Sequence, residues 1–187
     1  MHDLSGTKIL ILATHGFEQS ELEVPRDRLR AAGATVEIVS PERGQIRGWE
    51  KKDWGRLVKV DRALEDVDAE DYDALVLPGG QMNPDTLRIN DDALGLIRAF
   101  YDAKKIVAAV CHAPWLLIEV GIAHGLKATS YKSVRIDMIN AGADWRDQAV
   151  VVDRGVITSR NPGDLVAFSE KIAEEIVAGR QTARRAA

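Results

Sequence analysis

The stretch AVCHAP, Ala109 to Pro114, holds the only cysteine of the chain, followed at once by His112. A thiolate is a strong nucleophile. A cysteine set where a strand turns into a helix gains from the partial positive charge of unpaired helix N–H groups, with help from His112. On that ground the Cys111 thiol is expected to ionise below its ordinary pKa. Pro114 suits the first turn of the helix that would follow, where its missing N–H costs nothing. A lone cysteine after an apolar run is equally at home as a small buried residue, and residue type alone leaves both readings open.

A carboxyl beside Cys111 can act in two ways: protonated, it donates a hydrogen bond to the sulfur; ionised, it is a general base. The stretch HGFEQSELEVP offers Glu18, Glu21 and Glu23, with Glu21 the first choice. Acidic residues in a first helical turn also serve as plain partners of the helix dipole. Gly79 and Gly80 in PGGQMNPD allow close backbone approach, so their N–H groups are candidate oxyanion donors, or the pair is only a tight turn. If His112 is the base it needs an orienting carboxylate, for which Asp85 is the candidate. His15 and Glu18 are placed in the pocket. One cysteine and no HxxxH spacing argue against a metal site, and no GxGxxG or P-loop run calls for a nucleotide cofactor, so none is expected.

The elements that must position these groups are read from the pattern. Apolar runs rich in Val, Ile and Leu occur at Lys8 to Thr14, Thr35 to Ser40, Ala74 to Gly80 and Lys105 to Cys111, and read as parallel strands. Helical spacing occupies Arg26 to Ala32, Asp91 to Ala103 and Pro114 to Val120. Alternation of the two predicts an α/β fold, an open doubly wound sheet whose ligand crevice lies beyond the carboxyl ends of the strands. Glu42 to Val60, with glycines, charges and two tryptophans, suits a projecting hairpin that covers something. A second hairpin spans Ala149 to Arg160, with its turn at Asp153, Arg154 and Gly155. A helix from Asp164 to Ala178 closes a single domain over residues 5–180, and residues 181–187 form a basic, solvated tail.

Composition bounds the function. The chain has 187 residues, 45% hydrophobic and 29% charged, with a net charge of −4. That suits one domain with a proper core and no standing nucleic-acid partner. Apolar runs fall short of a membrane span, no secretory leader pattern opens the sequence, and a single cysteine fits a reducing compartment, so a cytosolic protein is expected.

Taken together, ALVLPGG, AVCHAP, KATSY, DMINAGADW and VVVDRGVITSRNPGDL resemble the PfpI/ThiJ superfamily, in particular PfpI-like intracellular proteases and bacterial general stress proteins. The resemblance implies a flavodoxin-like three-layer sandwich with Cys111 as the reactive thiol and Glu21, four residues before Pro25, as its carboxyl partner. His112 matches the histidine of PfpI-type members, and Asp85 the acidic residue that a neighbouring subunit lends to a triad. Gly79 and Gly80 match the glycine pair, and the N–H of Ala113 is a further oxyanion donor. Two departures stand out: Asp85 is one methylene shorter than the glutamate of archaeal proteases, and Tyr131 stands where another branch carries a pocket histidine. The resemblance also implies a homodimer or higher homo-oligomer.

Three functions follow from it: deglycase or glyoxalase III-like chemistry on methylglyoxal, glyoxal or glycated protein and nucleotide adducts; peptide hydrolysis through Cys111, His112 and Asp85; and non-catalytic redox sensing at Cys111. A glutamine amidotransferase is disfavoured, because His124 is the only histidine after His112.

Overall fold

The computed structural model describes residues 2–186. The chain order is β1 (Lys8–Leu12), α1 (Gln19–Ala31), β2 (Thr35–Ser40), β3 (Gln45–Glu50), β4 (Asp53–Lys59), β5 (Arg62–Ala63) and β6 (Ala74–Leu77). There follow α2 (Met82–Leu87), α3 (Asp91–Asp102), β7 (Ile106–Val110), α4 (Pro114–Glu119), β8 (Lys127–Ala128), α5 (Arg135–Asn140), β9 (Asp144–Trp145), β10 (Val150–Asp153), β11 (Val156–Ser159) and α6 (Leu165–Ala186). Seven strands form the main sheet in the order β10-β11-β7-β6-β1-β2-β5. Every pairing in it is parallel except β10 with β11 at one edge.

Continuous apolar strands are the signature of a sheet covered on both faces, and side-chain alternation sorts these residues cleanly. Leu10, Leu12, Leu75, Leu77, Val107 and Ala109 face one core with Ile97 and Phe100 of α3 and Leu116 and Leu117 of α4. Ile9, Ile11, Val76, Ala108 and Val110 face the other with Leu22 and Leu29 of α1 and Phe168 and Ile172 of α6. The result is the expected three-layer α/β sandwich. The chain starts mid-sheet at β1, moves outward to β2 and β5, then returns to β6 on the other side. Connections therefore diverge between β1 and β6, and that divergence opens a crevice at their carboxyl ends.

Several boundaries differ from expectation. α1 starts at Gln19 rather than Arg26 and carries Pro25 inside it. A proline there forfeits one helix hydrogen bond, but burial of Gln19, Glu21 and Leu22 holds the extra turns. The strands stop before their sequence runs do, at Leu12, Leu77 and Val110, which frees Pro78, Gly79, Gly80 and Cys111 for loops. α6 continues past Ala178 to Ala186, through most of the stretch expected as a tail. Both hairpins form as expected.

Candidate active site

Cys111 follows β7 directly and has φ of 63°, in the left-handed region. A non-glycine residue there is strained and persists only where its surroundings fix it. Here they do. The Cys111 N–H donates to the Ser159 carbonyl at 3.0 Å, and the Cys111 carbonyl accepts from the Tyr131 N–H at 2.7 Å. The turn presents the sulfur to a cavity of about 560 Å³ whose lining includes Glu18, Glu21, Trp49, Lys51, His112 and Tyr131.

Glu21 arrives from the first turn of α1, fully buried. Its Oε2 accepts the Gly79 N–H at 2.9 Å, and its buried Oε1 has no hydrogen-bond partner among the described residues; the carboxyl lies against the Cys111 thiol and each perturbs the titration of the other. Burial raises the Glu21 pKa to about 8, with the Glu18 charge adding to it. Cys111 is also pushed up, by burial first and then by the charge of an ionised Glu21, while the N–H groups of Gly80 and His112 pull the other way. The expected lowering of the thiol pKa is thus reversed, because the sulfur is buried against a carboxyl. One charge shared by the pair is tolerated and two are not, so the two groups titrate together. Glu18 is raised as well, by partial burial and by Glu50.

His112 does face the thiol. Its Nδ1 lies 3.2 Å from Cys111 Sγ and its Nε2 lies 3.2 Å from Ser133 Oγ. The ring stacks on Tyr131 at 4.8 Å between centroids and meets Trp115 edge-on at 5.3 Å. Burial lowers its pKa, so the imidazole is neutral at neutral pH and acts as a hydrogen-bonding neighbour of the sulfur.

Four expected roles change. The Gly79 N–H is spent on Glu21, and the Ala113 N–H donates to the Val110 carbonyl at 3.0 Å, so neither is free for an oxyanion. The donors aimed at the sulfur are the backbone N–H groups of Gly80 and His112. His15 is exposed outside the cavity lining; its Nδ1 accepts the Arg47 N–H at 3.0 Å and anchors the first hairpin. Asp85 is exposed on α2 and outside the cavity lining, and the Nε2 of His112 is taken by Ser133 instead. Among the described residues of one chain, then, no carboxylate orients His112.

The family model described as the DJ-1/PfpI family matches residues 7–175. The chain belongs to the DJ-1/PfpI family. Deglycase PfpI of Pyrococcus furiosus is 43% identical over 167 residues, 89% of this chain and 98% of that protein. General stress protein 18 of Bacillus subtilis is 41% identical over 168 residues, 89% of this chain and 95% of that protein. YraA of the same organism, named as a provisional cysteine protease, is 42% identical, covering 88% of this chain and 95% of its own. Among solved structures, Drosophila melanogaster DJ-1beta superposes with a TM-score of 0.83 at 31% identity, over 91% of this chain and 90% of that one.

In this member of the DJ-1/PfpI family the glycine pair is required sterically. A Cβ on Gly79 would lie 2.6 Å from Glu21 Oε2 and 2.8 Å from Cys111 Cβ, and one on Gly80, at φ of 78°, would lie 2.5 Å from the Gly16 carbonyl oxygen. Asn83, which carried no sequence signal beyond its place after the glycines, proves to tie the crevice together. Buried at the start of α2, it accepts the Thr14 N–H at 2.7 Å and donates to the Pro78 carbonyl at 2.8 Å, linking the ends of β1 and β6. Ser133 and the His112 backbone N–H were likewise invisible to sequence, since both depend on how distant loops meet. Among the described residues no cluster suits a metal ion, and no helix is long and apolar enough to cross a membrane.

Proposed function

We propose that this protein is a cysteine-dependent stress-response enzyme acting on α-oxoaldehydes such as methylglyoxal and on their glycation adducts. The observation that carries this reading is a buried carboxyl, protonated at neutral pH, set against the only thiol in a small-molecule cavity. The thiol sulfur adds to the aldehyde carbon, forming a C–S bond, while the carbonyl oxygen takes up a proton to give a hemithioacetal. The proton on that oxygen comes from Glu21 and the thiol proton leaves to solvent. The Glu21 carboxylate then removes the hydrogen from the former aldehyde carbon and returns it to the neighbouring carbon, while the hydroxyl proton passes to the neighbouring oxygen, which converts the adduct to a thioester of a 2-hydroxy acid. Water cleaves the thioester and restores the thiol. Oxidation of one carbon balances reduction of the next, so the sequence requires no external redox partner. The N–H groups of Gly80 and His112, which face the sulfur, are the proposed donors to the developing oxyanion.

The names of relatives agree: PfpI is named a deglycase, and an Escherichia coli relative 40% identical over 166 residues is named protein/nucleic acid deglycase 2. The second reading, a peptidase, is favoured by the contact between Cys111 and His112. It needs Asp85 of a second subunit, because this chain's own Asp85 lies outside the cavity. Cytosolic location, a homo-oligomer and a domain closing near residue 180 belong to the same proposal.

Proton NMR of methylglyoxal with wild-type protein and with Cys111→Ser tests the reading. Lactate formed over many turnovers by wild type alone is expected; lactate at equal rates in both samples would overturn it, since free thiols and buffers also consume methylglyoxal.

A further inference from the structure

The first hairpin ends in a turn at Lys51 and Lys52, between the cross-strand pairs Trp49 with Trp54 and Glu50 with Asp53. Lys51 has φ of 59°, a conformation that glycine or asparagine adopts more readily than lysine. Its carbonyl accepts the Trp49 indole N–H at 3.2 Å, and Trp49 in turn packs edge-on against Trp54 at 5.7 Å. The hairpin is pinned to the loop that delivers Glu21: the Trp49 N–H donates to the Phe17 carbonyl at 2.7 Å, and Gln19 Oε1 accepts the Arg56 N–H at 2.8 Å. The tip is therefore held, and of its two lysines only Lys51 lines the cavity of Cys111.

The charges around that cavity make Lys51 distinctive. Its lining offers carboxyl groups at Glu18 and Glu21 and a thiol, whereas His112 is neutral and Lys51 is the one side chain carrying a standing positive charge. Among the described residues Lys51 makes no ion pair with Glu18, Glu50 or any other carboxylate. An unpaired ammonium at the mouth of a cavity attracts an anionic group on whatever enters. A phosphate would be expected to meet an arginine fork, and no arginine lines this cavity among the described residues. A carboxylate matches a single ammonium.

We propose that Lys51 makes this site selective for carbonyl compounds that carry a carboxylate, with the ammonium drawing in the carboxylate while the aldehyde reaches Cys111. The carbonyl part of this statement rests on the function proposed above; the selectivity for a carboxylate does not.

Alkylation of the single cysteine separates the two. Rates with iodoacetate and iodoacetamide, which differ in a carboxylate against an amide, are measured by mass spectrometry on intact wild-type, Lys51→Gly, Lys51→Arg and Lys52→Gly proteins. Glycine relieves the left-handed strain at position 51, so the variant is expected to fold, and a melting curve checks it. The iodoacetate-to-iodoacetamide rate ratio should fall about three- to tenfold in Lys51→Gly, stay near wild type in Lys51→Arg and Lys52→Gly, and lose its dependence on Lys51 in high salt. A ratio unchanged in Lys51→Gly, or lowered equally in Lys52→Gly, overturns the proposal. A second arm compares turnover of phenylglyoxal with 4-carboxyphenylglyoxal. Absence of turnover with both, alongside a ratio that responds to Lys51, would overturn the proposed reaction and leave the carboxylate site standing.

Discussion

Replacing Glu21 by glutamine should stabilise the protein at neutral pH, by an amount that follows from its burial. The wild-type carboxyl titrates at about 8 in the fold against an ordinary 4.5. Folding therefore takes up a proton between those two values, so the contribution of Glu21 is complete below 4.5 and is lost as pH rises toward 8. Two and a half pH units separate 4.5 from pH 7, each worth about 1.4 kcal/mol, so wild type forfeits roughly 3 kcal/mol at pH 7 and roughly 5 kcal/mol above pH 8. Glutamine cannot ionise, still accepts the Gly79 N–H and can donate toward the sulfur. Glu21→Gln should consequently exceed wild type by roughly 3 kcal/mol at pH 7, or about 6 to 12 °C in Tm for a chain of this size, with the gap closing near pH 4.5. Urea unfolding followed by tryptophan fluorescence at several pH values measures it, and a Cys111→Ala background removes the coupled thiol. A gap of constant size across pH, or a less stable glutamine variant at pH 7, would refute the buried, protonated carboxyl. The same substitution should abolish turnover, since glutamine cannot shuttle the proton: stability gained against function lost at one buried atom.

Three further outcomes are expected. Gly79→Ala should cost about 2 kcal/mol, because the new methyl meets backbone at the Val110 carbonyl oxygen as well as Cys111 Cβ, each at 2.8 Å. By contrast Gly95→Ala, with nothing within 4 Å of its added carbon, should stabilise by up to about 1 kcal/mol; equal effects in chemical denaturation would contradict the steric account. Asn83→Ala should lower stability by roughly 3 kcal/mol, since the Thr14 N–H and Pro78 carbonyl lose their buried partner, and alkylation kinetics of Cys111 should shift as the glycine loop loosens. Cys111→Ser should retain the fold by circular dichroism while producing no lactate above buffer; residual turnover comparable to wild type would remove the thiol from the mechanism.

Much of the fold was legible because burial on two faces leaves a plain mark. Val-, Ile- and Leu-rich runs alternating with helical spacing predicted the parallel sheet and its covering helices, and the same logic placed Cys111, Glu21 and Gly80 at converging strand ends. Element limits were less legible. Helical spacing reads from Arg26, yet packing of Gln19, Glu21 and Leu22 carries α1 seven residues further back, through Pro25. Local propensity cannot register the strength of a tertiary contact.

The sequence by itself determined the sheet and set the thiol at the end of a central strand, since these rest on apolar runs at fixed spacing, and the resemblance of its motifs gave the family and singled out Glu21 among three glutamates. Only the tertiary structure decided how the groups share charge and hydrogen bonds. Burial turned the expected acidic thiol into half of a coupled pair, spent the Gly79 N–H on Glu21, gave Ser133 rather than Asp85 to His112 and brought Lys51 to the mouth of the cavity. Desolvation and hydrogen-bond pairing depend on what surrounds an atom in space, and loops far apart in sequence supply those surroundings.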